Sequence, residues 1–320
     1  EGTKFGHTAT TGGQLRLDLF DSFTIRNCEI IQRSGVKTWG HIVFGSGIKA
    51  NGVYTIENCT FNGVGTQGIY INENTTGATY NILNCTFNGD FGGEGAITIQ
   101  TNEGVNHIVN VEGCEFNNIP ATSHRIFLTK SSGLFYDFTL NTDLEATTAY
   151  ELEMFLNMSN QVNVAKGNYK FPTSSIKEGQ TIICEEGTVF TGTSSLNIKG
   201  STVIGATFEN EDGVAVSGTI HGTFKNCEFI GNEALRWCYS SQGKPVVFED
   251  CVIKTDFRGF HFDDMNGDVI FRGCEIAGFN AFGGDGTITF EGCTFTNDES
   301  RYNGLNIYAN TYIKDCTFKY

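Results

Sequence analysis

Proline is almost missing from this sequence: three in 320 residues, alongside only two tryptophans and three methionines. So little proline excludes a proline-rich linker or stalk. No apolar run approaches bilayer-spanning length, so insertion by a membrane helix is not expected. Basic residues are the minority, 21 Lys and Arg against 36 Asp and Glu, for a net charge of −15. That balance argues against nucleic acid or an anionic membrane surface as a partner. Helical periodicity is confined to one segment, which excludes a helix bundle. No two cysteines have CxxC spacing, so a zinc site is not expected.

What is abundant is glycine, at 40 residues, and a short pattern that recurs nine times. Each copy ends in Asn, Gly or Asp, then Cys, one residue, and Phe or Ile. Examples are Tyr54–Phe61 (YTIENCTF), Tyr80–Phe87 (YNILNCTF), Val246–Ile253 (VVFEDCVI) and Ile288–Phe295 (ITFEGCTF). The cysteines lie 31, 26 and 29 residues apart in a first set and 24, 23, 19 and 23 apart in a second. Within a copy, Ile56 and Cys59 have opposite parity, yet both are apolar. Strict strand alternation would send them to opposite faces. The chain must therefore bend at the residue before Cys. That position holds Asn27, Asn58, Asn84, Gly113, Asn226, Asp250, Gly273, Gly292 and Asp315. Those three residue types enter the left-handed region most easily. Each copy reads as strand, one-residue corner, strand, with Ile56, Cys59 and Phe61 pointing inward.

A second apolar alternation precedes the copies, as in Gly68–Asn72, Gly95–Gln100, Gly213–Gly218, Gly259–Asp264 and Gly304–Asn310. Three short strands per turn and one turn per repeat give an all-β solenoid. The pattern resembles the right-handed parallel β-helix of the pectate-lyase-like superfamily, whose stacked-Asn turn matches the Asn or Gly corner. The resemblance implies roughly 11–13 coils over the whole chain, with an interior cysteine ladder. It is a resemblance of repeat pattern and not of catalytic motif. Phe229–Asn232 and Gly92–Ile97 are similar to repeats of adhesins and autotransporter passengers.

Eleven cysteines form no disulfide framework: the count is odd and nine share one register. Stacked at the coil spacing, their Cβ atoms are farther apart than a relaxed disulfide wants. They read as buried free thiols acting as small hydrophobes. Ala206, in the degenerate copy Val203–Phe208, replaces one of them.

The two repeat sets are separated by a stretch holding the one amphipathic segment, Leu144–Met158, with Leu144, Leu152, Phe155, Leu156 and Met158 on its apolar face. A helix before strand-like Val162–Phe171 and Thr181–Gly192 resembles the cap that opens many members of that superfamily. The expected organisation is a first β-helix unit over 1–140 and a second over 141–320 with a helical cap near 144–158. The alternative is one continuous β-helix with an insertion at 141–170. Both ends are expected to be cuts through a longer solenoid, covered by further coils or by self-association.

In the resembling enzymes the site lies on the outward face of the first sheet. In the first unit those positions are Val43, Tyr70, Thr98 and Phe127, with no acid or base among them. In the second they are Arg236, His261 with Asp263, Asn280, then Asn306 with Tyr308, flanked by Arg258 and Asp264. Arg236, His261 and Asp263 are the catalytic candidates, since elimination from a uronate needs a base and a charge neutraliser. Arg236, His261, Asn280, Asn306 and Tyr308 are the candidates for ligand binding. Asp263 and Asp264 are the one obvious carboxylate pair, but neighbours on a strand point to opposite sides. No cofactor is called for; Asp264, Asn266 and Asp268 form an oxygen-rich, glycine-containing turn that could take Ca²⁺. Trp237 is expected to point inward with Leu235, and Trp39 is a candidate sugar platform. The functional expectation is a secreted or cell-surface β-helix of bacterial or phage type that binds a polysaccharide or host glycan without turnover. The rivals are a polysaccharide lyase or glycoside hydrolase on the outer face of the second unit, and a structural spacer or tailspike-like protein.

Overall fold

A computed structural model describes residues 4–6, 15–17, 21–31, 40–45, 48–71, 77–101, 104, 106–130, 138–192, 196–239, 244–255, 257–265, 267–296 and 304–319. The chain is all-β apart from one α-helix and a single 3₁₀ turn among these residues, and every strand pairing is parallel. The nine corner residues all adopt positive φ, from 51° at Asn58 to 65° at Gly292. The bend that parity demanded is therefore present in each copy. Residues are in register from coil to coil: Tyr54 pairs with Tyr80, Phe61 with Phe87, and Phe248 with Phe271. This is a parallel β-helix.

The chain folds as two compact units, Glu1–Leu144 and Glu145–Tyr320. Unit 1 consists of three parallel sheets of five strands each. In unit 2 hydrogen bonding runs on through the corners, linking 18 strands into one network.

Inside each coil, alternation sends one residue in two to the core, and like residues then stack. Phe61 lies 4.8 Å from Phe87 at 11°, and Phe87 lies 5.0 Å from Phe116 at 9°. In unit 2, Phe224, Phe248, Phe271 and Phe290 stack at 5.3, 4.7 and 5.3 Å. Offset-stacked rings at these spacings add to the gain from burying their area. Ten cysteines are free thiols, and no described cysteine is in a disulfide. Each repeat thiol lies beside the carbonyl two residues back and, Cys28 apart, a carbonyl of the coil below, as Cys251 Sγ does at 3.3 Å from both Glu249 O and Phe224 O. Burial pushes the Cys184 thiol up to about 12, and in the ladder the neighbouring Cys251 thiol does the same for Cys274. Ala206 takes a cysteine's place at 1% exposure.

Two amide rows climb the outside of unit 1. Asn141 donates to Asn110 at 2.7 Å, Asn110 to Asn81 at 2.7 Å, and Asn81 to the Thr55 hydroxyl at 3.2 Å. Asn117, Asn88 and Asn62 repeat the arrangement on the next sheet, ending at Glu29.

The helix spans Ala149–Met158, so it starts later than the apolar period predicts. Glu145–Ala146 instead pairs with Asn163–Val164 as a strand, and Leu144 lies outside the helix. Thr148 caps the first turn by accepting from Glu151 N, while Thr147 donates to the Glu151 carboxylate. These contacts satisfy amides the first turn would leave open. At the other end Gln180 Nε2 donates to Leu156 O and Ser159 O, serving carbonyls the last turn leaves free. Leu152, Met154, Phe155, Leu156 and Met158 are buried, against strands of the same unit.

Candidate functional site

The outer face of unit 2 carries the densest cluster of charge and amide groups named from the sequence. Strand Glu228–Tyr239 supplies Glu233 and Arg236, strand Arg258–Met265 supplies Arg258 and His261, and strand Leu305–Lys314 supplies Asn306 and Tyr308. Pairing aligns Arg236 with His261, His261 with Ala281, and Ala281 with Asn306. Glu233 aligns with Arg258. Leu235 and Phe260 point into the core at 0% exposure, which leaves Arg236 and His261 on the outer side.

Glu233 is the centre of the cluster. Its Oε2 lies 2.9 Å from Arg236 Nε and its Oε1 3.7 Å from Arg258 Nη1. The Glu233 side chain is only 12% exposed, and the two arginines 29% and 27%. Arg258 also sits 4.8 Å over the Phe257 ring, a cation–π contact. One carboxylate thus faces two guanidinium groups, leaving an island of net positive charge on a chain of net −15. Partial burial weakens solvent screening of that charge.

Next to the island the floor dips. Ala281 occupies the rung between His261 and Asn306, and Gly283 pairs with Tyr308. A Cβ on Gly283 would meet nothing within 4 Å. Two small residues between larger ones leave a shallow trough roughly two coil rises wide, on the order of 10 Å. Tyr308 borders it at 79% exposure, and Asn306 is half-buried. One corner away a cleft of about 480 Å³ is lined by Glu211, Asp212, Asn232, Lys254 and Thr255 with Ile230 and Gly231. Asn232 directly precedes Glu233, so the cleft borders the charged island along the chain.

Asn280 is a correction. Its side chain is 1% exposed and turned inward, where Phe260 N donates to Oδ1 at 3.0 Å and Nδ2 donates to Gly278 O and Gly304 O at 2.8 and 3.1 Å. The cause is a register shift between Arg258 and His261 that puts Ala281, not Asn280, beside His261. Asn280 fastens three backbone segments and is not open to a ligand.

Asp263 and Asp264 lie in strand Arg258–Met265, but their side chains are outside the described residues, as is Asn266. Pairing shifts register between Phe262 and Met265, on the two carboxylates themselves, so strict alternation does not hold across them. Asp268 is exposed and accepts from Thr287 N at 3.0 Å. Trp39 and the side chain of Trp237 also lie outside the described residues. In unit 1, Val43, Tyr70, Thr98 and Phe127 do align in one row, headed by Arg16. Val43 and Thr98 are buried, and the Tyr70 hydroxyl donates to Gln100 Oε1 at 2.7 Å.

Glu233, Ala281 and Gly283 escaped the sequence reading. The Glu233–Arg236 spacing was visible, but the pairing of Glu233 with Arg258 needs the register. No group of three or more His, Cys, Asp and Glu converges among the described residues, and no described helix is long and apolar enough to cross a membrane. Comparison with protein-family models, curated proteins and solved structures found no match.

Proposed function

We propose that this chain is a secreted or cell-surface β-helix, of the pectate-lyase-like kind used in bacterial adhesins and phage proteins, that binds glycans without cleaving them. The observation that carries the reading is the trough on unit 2, floored by Ala281 and Gly283 between His261 on one side and Asn306 and Tyr308 on the other. An exposed aromatic ring offers an apolar face to a sugar, and the amide and imidazole offer hydrogen bonds to hydroxyls. Arg236 and Arg258 favour a ligand with acidic substituents, since together they exceed the charge of Glu233. A binding role is favoured over turnover because Glu233, the carboxylate of the cluster, is engaged by two arginines and so is not left free for a substrate.

The test is a binding screen of the full chain against acidic and neutral polysaccharides, read by calorimetry, with product formation followed in parallel by the absorbance of unsaturated ends and by reducing sugar. Binding that falls at least tenfold in Tyr308→Ala and Arg236→Ala, without product, supports the proposal. Product formation that vanishes in His261→Ala would replace it with a lyase acting on the same face. Undiminished binding in all three variants would place the ligand elsewhere.

A further inference from the structure

The sheet of unit 2 that carries strand Val246–Glu249 has an outer face the trough does not use. On it Phe224, Phe248, Phe271 and Phe290 point inward at 0% exposure, so their strand neighbours on either side point out. Ahead of each ring stands one uncharged residue per coil: Thr223, Val247, Ile270 and Thr289, flanked by Thr202 and by Tyr312 at 50% exposure. After each ring stands a charge: Lys225, Glu249, Arg272, Glu291 and then Lys314, alternating in sign. Contacts along this second column hold its side chains in place, because Glu249 lies between Lys225 and Arg272, and Arg272 between Glu249 and Glu291. Side chains already ordered lose less entropy when a partner docks.

The sign pattern says which partner fits. A second copy laid face to face, strands parallel and coil order reversed, sets each column against itself. With the two-fold axis on the coil of Arg272, that residue meets its own copy and Glu249 meets the partner's Glu291. An axis midway between coils instead sets every facing pair of charges at opposite sign. Midway between the coils of Glu249 and Arg272, Glu249 faces the partner's Arg272 and Lys225 faces the partner's Glu291. The same axis sets half-buried Val247 against the partner's Ile270 and Thr223 against the partner's Thr289. Lys314 falls over the partner's Ile204, which its aliphatic stem covers. At the corners Asp250 falls opposite the partner's Gly273, so no two carboxylates meet there. Sheets that cover each other lie about 10 Å apart, within reach of long charged side chains from both sides.

We propose that this sheet is a self-docking face through which two copies of the chain form a two-fold, antiparallel dimer. A two-fold contact requires a patch complementary to itself, and the alternating column with its aliphatic strip is one. Six coils, from Thr202 to Tyr312, take part. At four residues per strand they cover on the order of 400 Å² per copy, about half of what a standard interface buries on each side, so the dimer is weak and reversible. The inference is independent of glycan binding, which uses the sheet of Arg236 and His261.

The test is sedimentation equilibrium of the reduced full chain from about 10 μM to about 1 mM, in low salt and in about 1 M salt, with circular dichroism of every variant. The expected result is a monomer–dimer equilibrium in low salt that weakens severalfold in high salt. Val247→Glu, on the outer face, should weaken it at least tenfold with the β signal retained, since a carboxylate would then be buried against the partner's Ile270. Glu249→Lys/Glu291→Lys and Lys225→Glu/Arg272→Glu give columns of one sign. Each should be monomeric alone, and the two mixed should form a heterodimer. A parent that stays monomeric throughout overturns the proposal, as does a dimer that Val247→Glu leaves unchanged. Failure of the two folded charge variants to combine overturns it too, and if either does not fold, Val247→Glu decides.

Discussion

At each corner the backbone decides which side chains are possible, and the residue stacked below decides among them. A Cβ on Gly113 would lie 2.2 Å from Asn84 Oδ1, and one on Gly273 would lie 2.4 Å from Asp250 Oδ1. Glycine follows Asn or Asp there because the lower side chain already fills the space. Gly292 differs, since a Cβ there meets nothing within 4 Å. Gly273→Ala should therefore cost roughly 1–3 kcal/mol in denaturant unfolding, from left-handed strain plus displacement of the Asp250 carboxylate. Gly292→Asn should stay within about 0.5 kcal/mol of the parent, because Asn tolerates this conformation and has room. His41 gives a second residue-scale outcome. It is 0% exposed, and burial lowers its pKa to about 4. The unfolded chain takes up a proton near pH 6.5 and the native chain only near 4, so protonation favours unfolding as pH falls through that window. Stability should drop by on the order of 3 kcal/mol between pH 7 and 4, and His41→Phe should flatten that part of the pH–stability curve. Nothing in the sequence announced this histidine. The nine corners, in contrast, were legible because each one had to reconcile two apolar positions of opposite parity.

Among elements, the strands of unit 2 are pinned by charge as well as by stacked rings. Lys225, Glu249, Arg272, Glu291 and Lys314 align on successive coils with alternating sign. Glu249 lies 3.6 Å from Lys225 and 3.2 Å from Arg272, and Arg272 lies 3.2 Å from Glu291. Such exposed pairs are individually weak. Reversing the middle of the row is another matter, because one substitution creates two like-charge contacts. Arg272→Glu should cost roughly 1–2 kcal/mol at low salt, and the deficit should shrink in about 1 M salt if repulsion is the cause. Boundaries were less legible than strands. Leu144 to Met158 has a helical apolar period, yet its first residues gain more as a sheet pairing, and Thr148 with Glu151 sets where the helix begins. The outer-face column failed at Asn280 for a related reason. Counting by two along an even strand does put Tyr70, Thr98 and Phe127 in one row, though Thr98 is buried there, and it fails across the shift beside His261. Glu233 was out of reach because its partner Arg258 is 25 residues away in sequence and next to it only once the coil closes.

For the molecule as a whole, each coil of a unit touches chiefly the coils beside it. Stability in such an array is approximately a sum of coil and nearest-neighbour terms. Phe248, 0% exposed and stacked between Phe224 and Phe271, is a stringent probe of that behaviour. Phe248→Ala should cost about 3–5 kcal/mol, and amide protection should fall most in the coils of Phe224 and Phe271 and least near Val162. Uniform loss across unit 2 would mean that cooperativity extends beyond neighbours. The outer rows of unit 1 have a consequence of another kind. Each asparagine within a row hands one N–H to the rung below and offers its own oxygen to the rung above, so no inner rung is special. Excising residues 59–84 would join Asn58 to Cys85, bring Asn110 over Thr55 and Asn88 over Glu29, and leave both rows unbroken. A gene built on this scheme can gain or lose whole coils without redesigning the junction, so length is the property on which selection is free to act while the cross-section stays the same.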